Sequence, residues 1–426
     1  MYKMCYNFNM NKYFKFPNGL RMVYENVPSV RSVSIGVYVG AGCVYEDAKN
    51  NGVSHFIEHM NFKGTKTRTA FDIVAEIDNL GAKINAATSK QFTYYYTLSL
   101  DEDAEKCLEI LSDIYFNSIF PNDEFERERK VILEELAESE DTPDDVCFER
   151  TSSYSFGSHP FARTILGTKE SLTAMTRQDL IDYKARFYTA DNTVLSIVGN
   201  VDFESAKALV KKYFASQFVN EKMDVVKVPY GEFFGGEVKV SKKIEQVHIT
   251  MAFETVDYSD DRGSYILSLL SDSFAGGMSS RLFQTIREKM GLCYSIYGYP
   301  SFMKHTKGRF FICMSTNTGS VYKAINAIKD EIRKLTSDGL TEAELAKSKR
   351  QSVANLVIAQ EMTIAIMRAM GRRAIMDDEV YDIDKEVKTY ESITIDEIND
   401  YAKKVFNLDR MVLGLVGDFD KEKKNG

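Results

Sequence analysis

Basic residues are in deficit: the 426-residue chain carries 54 Lys and Arg against 62 Asp and Glu, a formal net charge of −8. A general nucleic-acid binder needs a basic stripe to neutralise phosphates, so the charge argues against that class. Long apolar runs are also missing; none approaches the ~18 residues that span a bilayer. The first residues, Met1-Tyr2-Lys3-Met4-Cys5-Tyr6-Asn7, lack the apolar core of a secretory signal. No membrane or nucleic-acid partner is expected, and the expected compartment is the cytoplasm. Cysteine is sparse: Cys5, Cys43, Cys107, Cys147, Cys293 and Cys313 stand far apart, with no Cys-x-x-Cys pair. That spacing argues against a thiolate zinc cluster and a redox motif, and it leaves free, buried thiols as the expectation. Histidine is scarce as well, with five in the whole chain.

What is present is a soluble, globular composition, 44% hydrophobic and 27% charged, in a chain long enough for two domains with a core each. An internal repeat supports two. Thr176-Arg177-Gln178-Asp179-Leu180-Ile181-Asp182-Tyr183 leads to the apolar run Thr193–Val198 and Gly199-Asn200, while Thr394-Ile395-Asp396-Glu397-Ile398-Asn399-Asp400-Tyr401 leads to Met411–Val416 and Gly417-Asp418. The Thr and the Gly recur at one offset, 218 residues, as a duplicated domain requires. Each copy reads as a Thr-capped amphipathic helix followed by a β-branched strand. Further strands are predicted over 33–39, 92–98, 247–253 and 310–314. The polar, Gly-containing stretch near Pro229-Tyr230-Gly231 marks a linker, so the expected division is 1–219, a linker over 220–236, and 237–426.

The chemistry is concentrated in His55-Phe56-Ile57-Glu58-His59. On a helical wheel Val53, Phe56, Ile57 and Met60 cluster on one side, and His55, Glu58 and His59 gather on the other. Imidazoles at i and i+4 can reach one tetrahedral ion, and Glu58 between them can address a metal-bound water. His-x-x-Glu-His is the inverzincin order. An isolated surface histidine is usually only solvated, but two of five falling at this spacing around a carboxylate favour a metal. Catalytic zinc takes three protein ligands, so a third must come from elsewhere. The run from Phe125 to Leu136 offers Glu128 and Glu135, which share a stripe with Phe125 and Ile132 and, if buried, want a cation. Charge-rich helices more often present solvated faces, so spacing alone does not decide it.

Four stretches together resemble the pitrilysin/insulinase family of zinc peptidases, in the subfamily of mitochondrial processing peptidase and its bacterial relatives. They are Gly52–Thr65 around the motif, Asn85-Ala86-Ala87-Thr88-Ser89, Val131–Glu135, and Gly276-Gly277-Met278-Ser279-Ser280-Arg281-Leu282-Phe283. The resemblance covers nearly the whole chain. It implies zinc on His55, His59 and Glu135, which stands 76 positions after His59, with Glu58 as general base and Glu128 as an outer-shell residue steadying the site. It further implies that Asn85 and Ala86 lie on an edge strand that pairs with a peptide substrate, and that Arg287 and Tyr294 reach the substrate from the second copy. Read without the family, Arg287–Tyr294 is an ordinary helix end with a C-cap glycine at Gly291.

The fold implied is α+β: two homologous domains, each an antiparallel sheet with helices packed on one side, forming half of a clamshell chamber. The partner implied is a second chain, in a homodimer or in a heterodimer with a related chain. The second copy lacks His-x-x-Glu-His, so it should hold no zinc. A non-catalytic partner or scaffold subunit is the competing reading, and its mark would be degraded ligands; these are intact. A phosphate loop at Ala275–Ser280 is rejected because no Gly-Lys-Ser/Thr follows.

Overall fold

Thr176 and Thr394 each open a helix with a reciprocal capping box, to Asp179 over Arg177–Phe187 and to Glu397 over Ile395–Val405. Each box satisfies orphan amides of the first turn and fixes where the helix begins. Each helix then feeds a fully buried strand, Thr193–Gly199 or Val412–Gly417. Both strands end on a glycine at φ 141°, where a side chain would run into the carbonyl of Ser32 or of Gln246. The repeat seen in sequence is therefore a repeat of backbone geometry.

This computed structural model describes residues 12–218 and 226–419, so Cys5 and the 220–225 part of the expected linker lie outside the described residues. The first sheet contains β1 (Lys12–Lys15), β2 (Arg21–Asn26), β3 (Ser32–Val39), β4 (Lys83–Thr88), β5 (Thr93–Leu100) and β6 (Thr193–Gly199), in the order β1-β2-β6-β3-β5-β4. The second contains β7 (Gly236–Ser241), β8 (Gln246–Asp257), β9 (Ile296–Ser301), β10 (Lys307–Asn317) and β11 (Val412–Gly417), in the order β7-β11-β8-β10-β9. Each sheet departs from pure antiparallel order by one parallel pair, β2–β6 and β7–β11, because the last strand of each copy inserts beside the first ones. The five described cysteines are free, and all but the half-buried Cys293 are buried.

Alternation sets the two faces of each sheet. Val33, Ile35, Val37 and Val39 point into a core with the helices Val53–Asn61 and Ala104–Phe116. Val247, Ile249, Met251 and Phe253 do the same with Asp261–Phe274, Val321–Asp338 and Ile395–Val405. Helices do not lie on one side alone. The other face of the first sheet carries Thr363–Asp377, with Ser34 Oγ 2.9 Å from Thr363 Oγ1 and Ser196 Oγ donating to the Met367 carbonyl at 2.9 Å. The other face of the second carries Pro143–Phe156, whose Phe148 packs on Phe311.

These covering helices make the compact units discontinuous in sequence. One unit gathers the chain up to Leu136, Arg163–Lys227 and Val357–Asp384, and the other gathers Ala137–Ala162, Val228–Leu356 and Lys385 onward. The expected division at 220–236 does not describe them, because each sheet's second face is covered by a segment from the other half of the sequence. No single helix among the described residues is long and apolar enough to cross a membrane.

Candidate metal centre

The helix Val53–Asn61 buries Val53, Phe56, Ile57 and Met60 completely, the face expected from its periodicity. Its first turn is held from outside the local sequence. Gly52, at φ 95°, supplies no capping side chain; instead the buried Glu46 carboxylate accepts from the Gly52 amide (2.7 Å), the Ser54 amide (2.9 Å) and Asn51 Nδ2 (2.9 Å). A carboxylate at a helix N-terminus meets both orphan donors and the positive end of the dipole. At the other end Asn61 Nδ2 donates to the Tyr95 hydroxyl (2.7 Å), and Asn61 Oδ1 accepts from Lys184 Nζ (2.6 Å). Burial brings the Lys184 ammonium down to about 7. The motif helix is thus fixed at both termini by polar contacts.

Phe56 stacks on Phe125, ring centroids 4.9 Å apart, which registers the motif helix against Asn122–Asp141. One turn beyond Phe125, Glu128 lies 3% exposed, with Oε1 2.9 Å from His59 Nδ1 and Oε2 2.8 Å from Lys63 Nζ. Burial pushes the Glu128 carboxyl up, but the hydrogen bonds from His59 and Lys63 outweigh it and hold the group below the usual carboxylate range. Two further turns on, Glu135 Oε2 stands 3.8 Å from His55 Nε2 and 3.8 Å from His59 Nε2. Donor atoms of His55, His59 and Glu135 all fall within 4.8 Å of one another, the one such grouping found among the described residues.

These residues fit a single ion. Donors each about 2.1 Å from one metal stand at most about 4.2 Å apart, and the His–Glu separations lie inside that limit. Burial and the neighbouring His59 lower His55 to about 3, so it is neutral and carries a lone pair at physiological pH. His59 has its other ring nitrogen on a carboxylate, the usual support of a ligating imidazole. His55 Nδ1 is buried with no hydrogen-bond partner among the described residues; a metal on Nε2 would fix its tautomer. Glu58 is held by a hydrogen bond from the Thr88 hydroxyl, and burial raises its carboxyl above the usual range, suiting it to proton transfer nearer neutrality.

Thr88 ends β4, the edge strand of its sheet. Asn85 and Ala86 lie on that strand, paired to Tyr96 and Tyr95 of β5, and Asn85 Oδ1 accepts from the Ala86 amide at 2.8 Å. Arg287 and Tyr294 belong to the other unit and are brought together there. Arg287, on the helical stretch Phe283–Lys289, donates from Nε to the Tyr294 carbonyl at 2.7 Å, and Tyr294 is 85% exposed. Glu46, Thr88, Lys63 and Lys184 carry no role in the sequence reading. Glu46 caps a helix from seven residues before its first residue, outside the three-residue window in which caps are read.

Comparison with known proteins identifies the family of the chain. Residues 21–169 match the model of insulinase, peptidase family M16, and 174–352 match the peptidase M16 inactive domain. The chain is 35% identical over 400 residues to YmxG of Bacillus subtilis, covering 94% of this chain and 97% of that one. It is 36% identical over 401 residues to a protein of Rickettsia felis, covering 94% and 95%. Both are described as uncharacterized zinc proteases. A Helicobacter pylori protease of known structure shares the fold at a TM-score of 0.89 and 20% identity, over 96% of this chain and 99% of the other. This chain therefore belongs to the insulinase family of metallopeptidases, peptidase family M16.

Proposed function

We propose that this protein is a zinc-dependent endopeptidase that hydrolyses peptides or unfolded polypeptide segments. The observation that carries the reading is the convergence of His55, His59 and Glu135 donors beside the Glu58 carboxylate. His55, His59 and Glu135 would hold Zn²⁺, which when bound supplies a Lewis acid that acidifies water and polarises a carbonyl. Glu58 takes the proton of the attacking water and returns it to the leaving amine. Glu128 and Lys63 keep the His59 ring oriented throughout, and Thr88 keeps Glu58 from rotating away. An extended peptide adds to the free edge of β4, so main-chain pairing aligns it without reading its sequence. Asn85 then has to release the Ala86 amide to that strand. Tyr294 and Arg287 contribute donors to the substrate, with Tyr294 directed at the developing oxyanion.

The whole assembly in this reading is a chamber of four similar domains, two from each chain, as a homodimer or with a related partner chain, working in the cytoplasm. A non-catalytic subunit role is disfavoured by the intact donor set. The test is incubation of the zinc-loaded protein with an unbiased peptide library and identification of products by mass spectrometry. Internal cleavages that stop on chelation and return with zinc support the proposal; an unchanged library at one zinc per chain refutes it.

A further inference from the structure

The second face of the first sheet carries an aromatic run that ends beside β4. Tyr38, Tyr94 and Tyr96 stack in succession, with ring centroids 4.9 and 5.6 Å apart and planes within 5° and 20°. Ala87 pairs with Tyr94 and Asn85 with Tyr96, so these four side chains share one face. Thr88, the partner of Glu58, points to the other. Ala87 presents only a methyl group, which leaves the flank of the half-buried Tyr94 open toward the strand edge.

Arg368, on the helix that covers this face, closes the run. Its guanidinium lies 4.9 Å from the Tyr96 ring centroid, and Nη2 donates to the Tyr96 hydroxyl at 2.9 Å. Arg368 is exposed, as is Arg372 one turn later. Neither has a carboxylate partner among the described residues, although acidic residues outnumber basic ones in the chain, 62 to 54. The arrangement, a guanidinium braced on an aromatic ring and left without a counter-ion, suits an anion arriving from outside.

We propose that Arg368, braced by Tyr96, is a specificity-determining residue that selects an acidic side chain in the peptide substrate. The inference rests on the proposed pairing of substrate with β4. Side chains of an added strand alternate between the two faces of the sheet, so every second one meets the Tyr94–Tyr96–Arg368 face. Glu58 is tied to Thr88, and the Asn85–Tyr96 register lies three residues back along β4, roughly 10 Å at about 3.4 Å per residue. The acidic residue selected is therefore two or three positions from the scissile bond, and its carboxylate meets the guanidinium in a charge-assisted contact.

The test uses peptides of one sequence carrying Glu, Gln or Lys in turn at each of the four positions on either side of the cleaved bond. They are assayed with zinc-loaded wild type, Arg368→Gln and Arg368→Glu. At one position two or three from the bond, wild type should prefer Glu over Lys by roughly tenfold in kcat/KM. Arg368→Gln should lose the preference and Arg368→Glu should reverse it, each read as the Glu-to-Lys ratio within one protein. Binding of the same peptides to Glu58→Gln protein, followed by fluorescence anisotropy, should give the same order of Kd. An unchanged preference in both variants, or none in wild type, overturns the role of Arg368 and leaves the peptidase reading standing. No cleavage of any peptide by any of the three at full zinc overturns the peptidase reading, and this assignment with it.

Discussion

Glu128 offers the sharpest quantitative test of the centre, because it touches a candidate ligand without being one. Its two oxygens are shared between His59 Nδ1 at 2.9 Å and Lys63 Nζ at 2.8 Å. Glu128→Gln keeps the shape but offers one acceptor to two donors, so either the imidazole or the ammonium faces an NH₂ group. Hydrogen bonds to charged groups are worth about 1.5–3 kcal/mol, and supports of this kind change metal affinity about 10–100-fold. The two scales agree, since a tenfold change is about 1.4 kcal/mol. The expected result is a zinc Kd raised about 10–100-fold in competition with a chromophoric chelator, with hydrolysis largely restored when zinc is saturating. A Kd within a factor of two of wild type would refute the claim that the carboxylate supports His59.

Other outcomes follow from the same geometry. Glu46→Leu strips three donors of their buried acceptor; it should lower stability by about 3 kcal/mol or more and weaken zinc binding, as seen in melting curves of the metal-free and zinc-loaded protein. Burial lifts the Glu25 carboxyl from 4.5 to about 7, so between those values the unfolded chain ionises first and stability falls as pH rises. Glu25→Gln should accordingly raise the melting midpoint at pH 8 and change it little at pH 4.5. Tyr294→Phe and Arg287→Ala should each lower kcat by roughly 10²-fold at unchanged zinc content; wild-type kinetics in both would make these residues structural only.

The parts of the site that were legible in the sequence are those that repeat at helical spacing. His55, Glu58 and His59 share one helix face, and Glu128 and Glu135 fall on the stripe of Phe125 and Ile132, so periodicity narrowed the candidates before any contact was known. Choosing Glu135 over Glu128 needed the family spacing. In the structure the difference is that Glu128 turns to Lys63 and the rear of His59, while Glu135 meets both Nε2 atoms. Glu46 and Thr88 were illegible because each acts across a chain reversal, where periodicity carries no information. The same reason hid the interleaving of the units. The amphipathic pattern of Thr363–Asp377 says that it has an apolar face, but not that Gly36, Ser34 and Ser196 leave room for it on the first sheet. The duplicated helix and strand were legible because capping box and terminal glycine are local rules, obeyed twice.

The central claim, that Glu58 is the base of a metal site it does not itself build, is tested most directly by Glu58→Gln with metal and activity measured on the same sample. The expected result is about one zinc per chain, as in wild type, together with a fall in peptide hydrolysis of about 10²–10⁴-fold or more; His59→Ala and Glu135→Ala should lose both. Hydrolysis by Glu58→Gln near the wild-type rate at full zinc would contradict it.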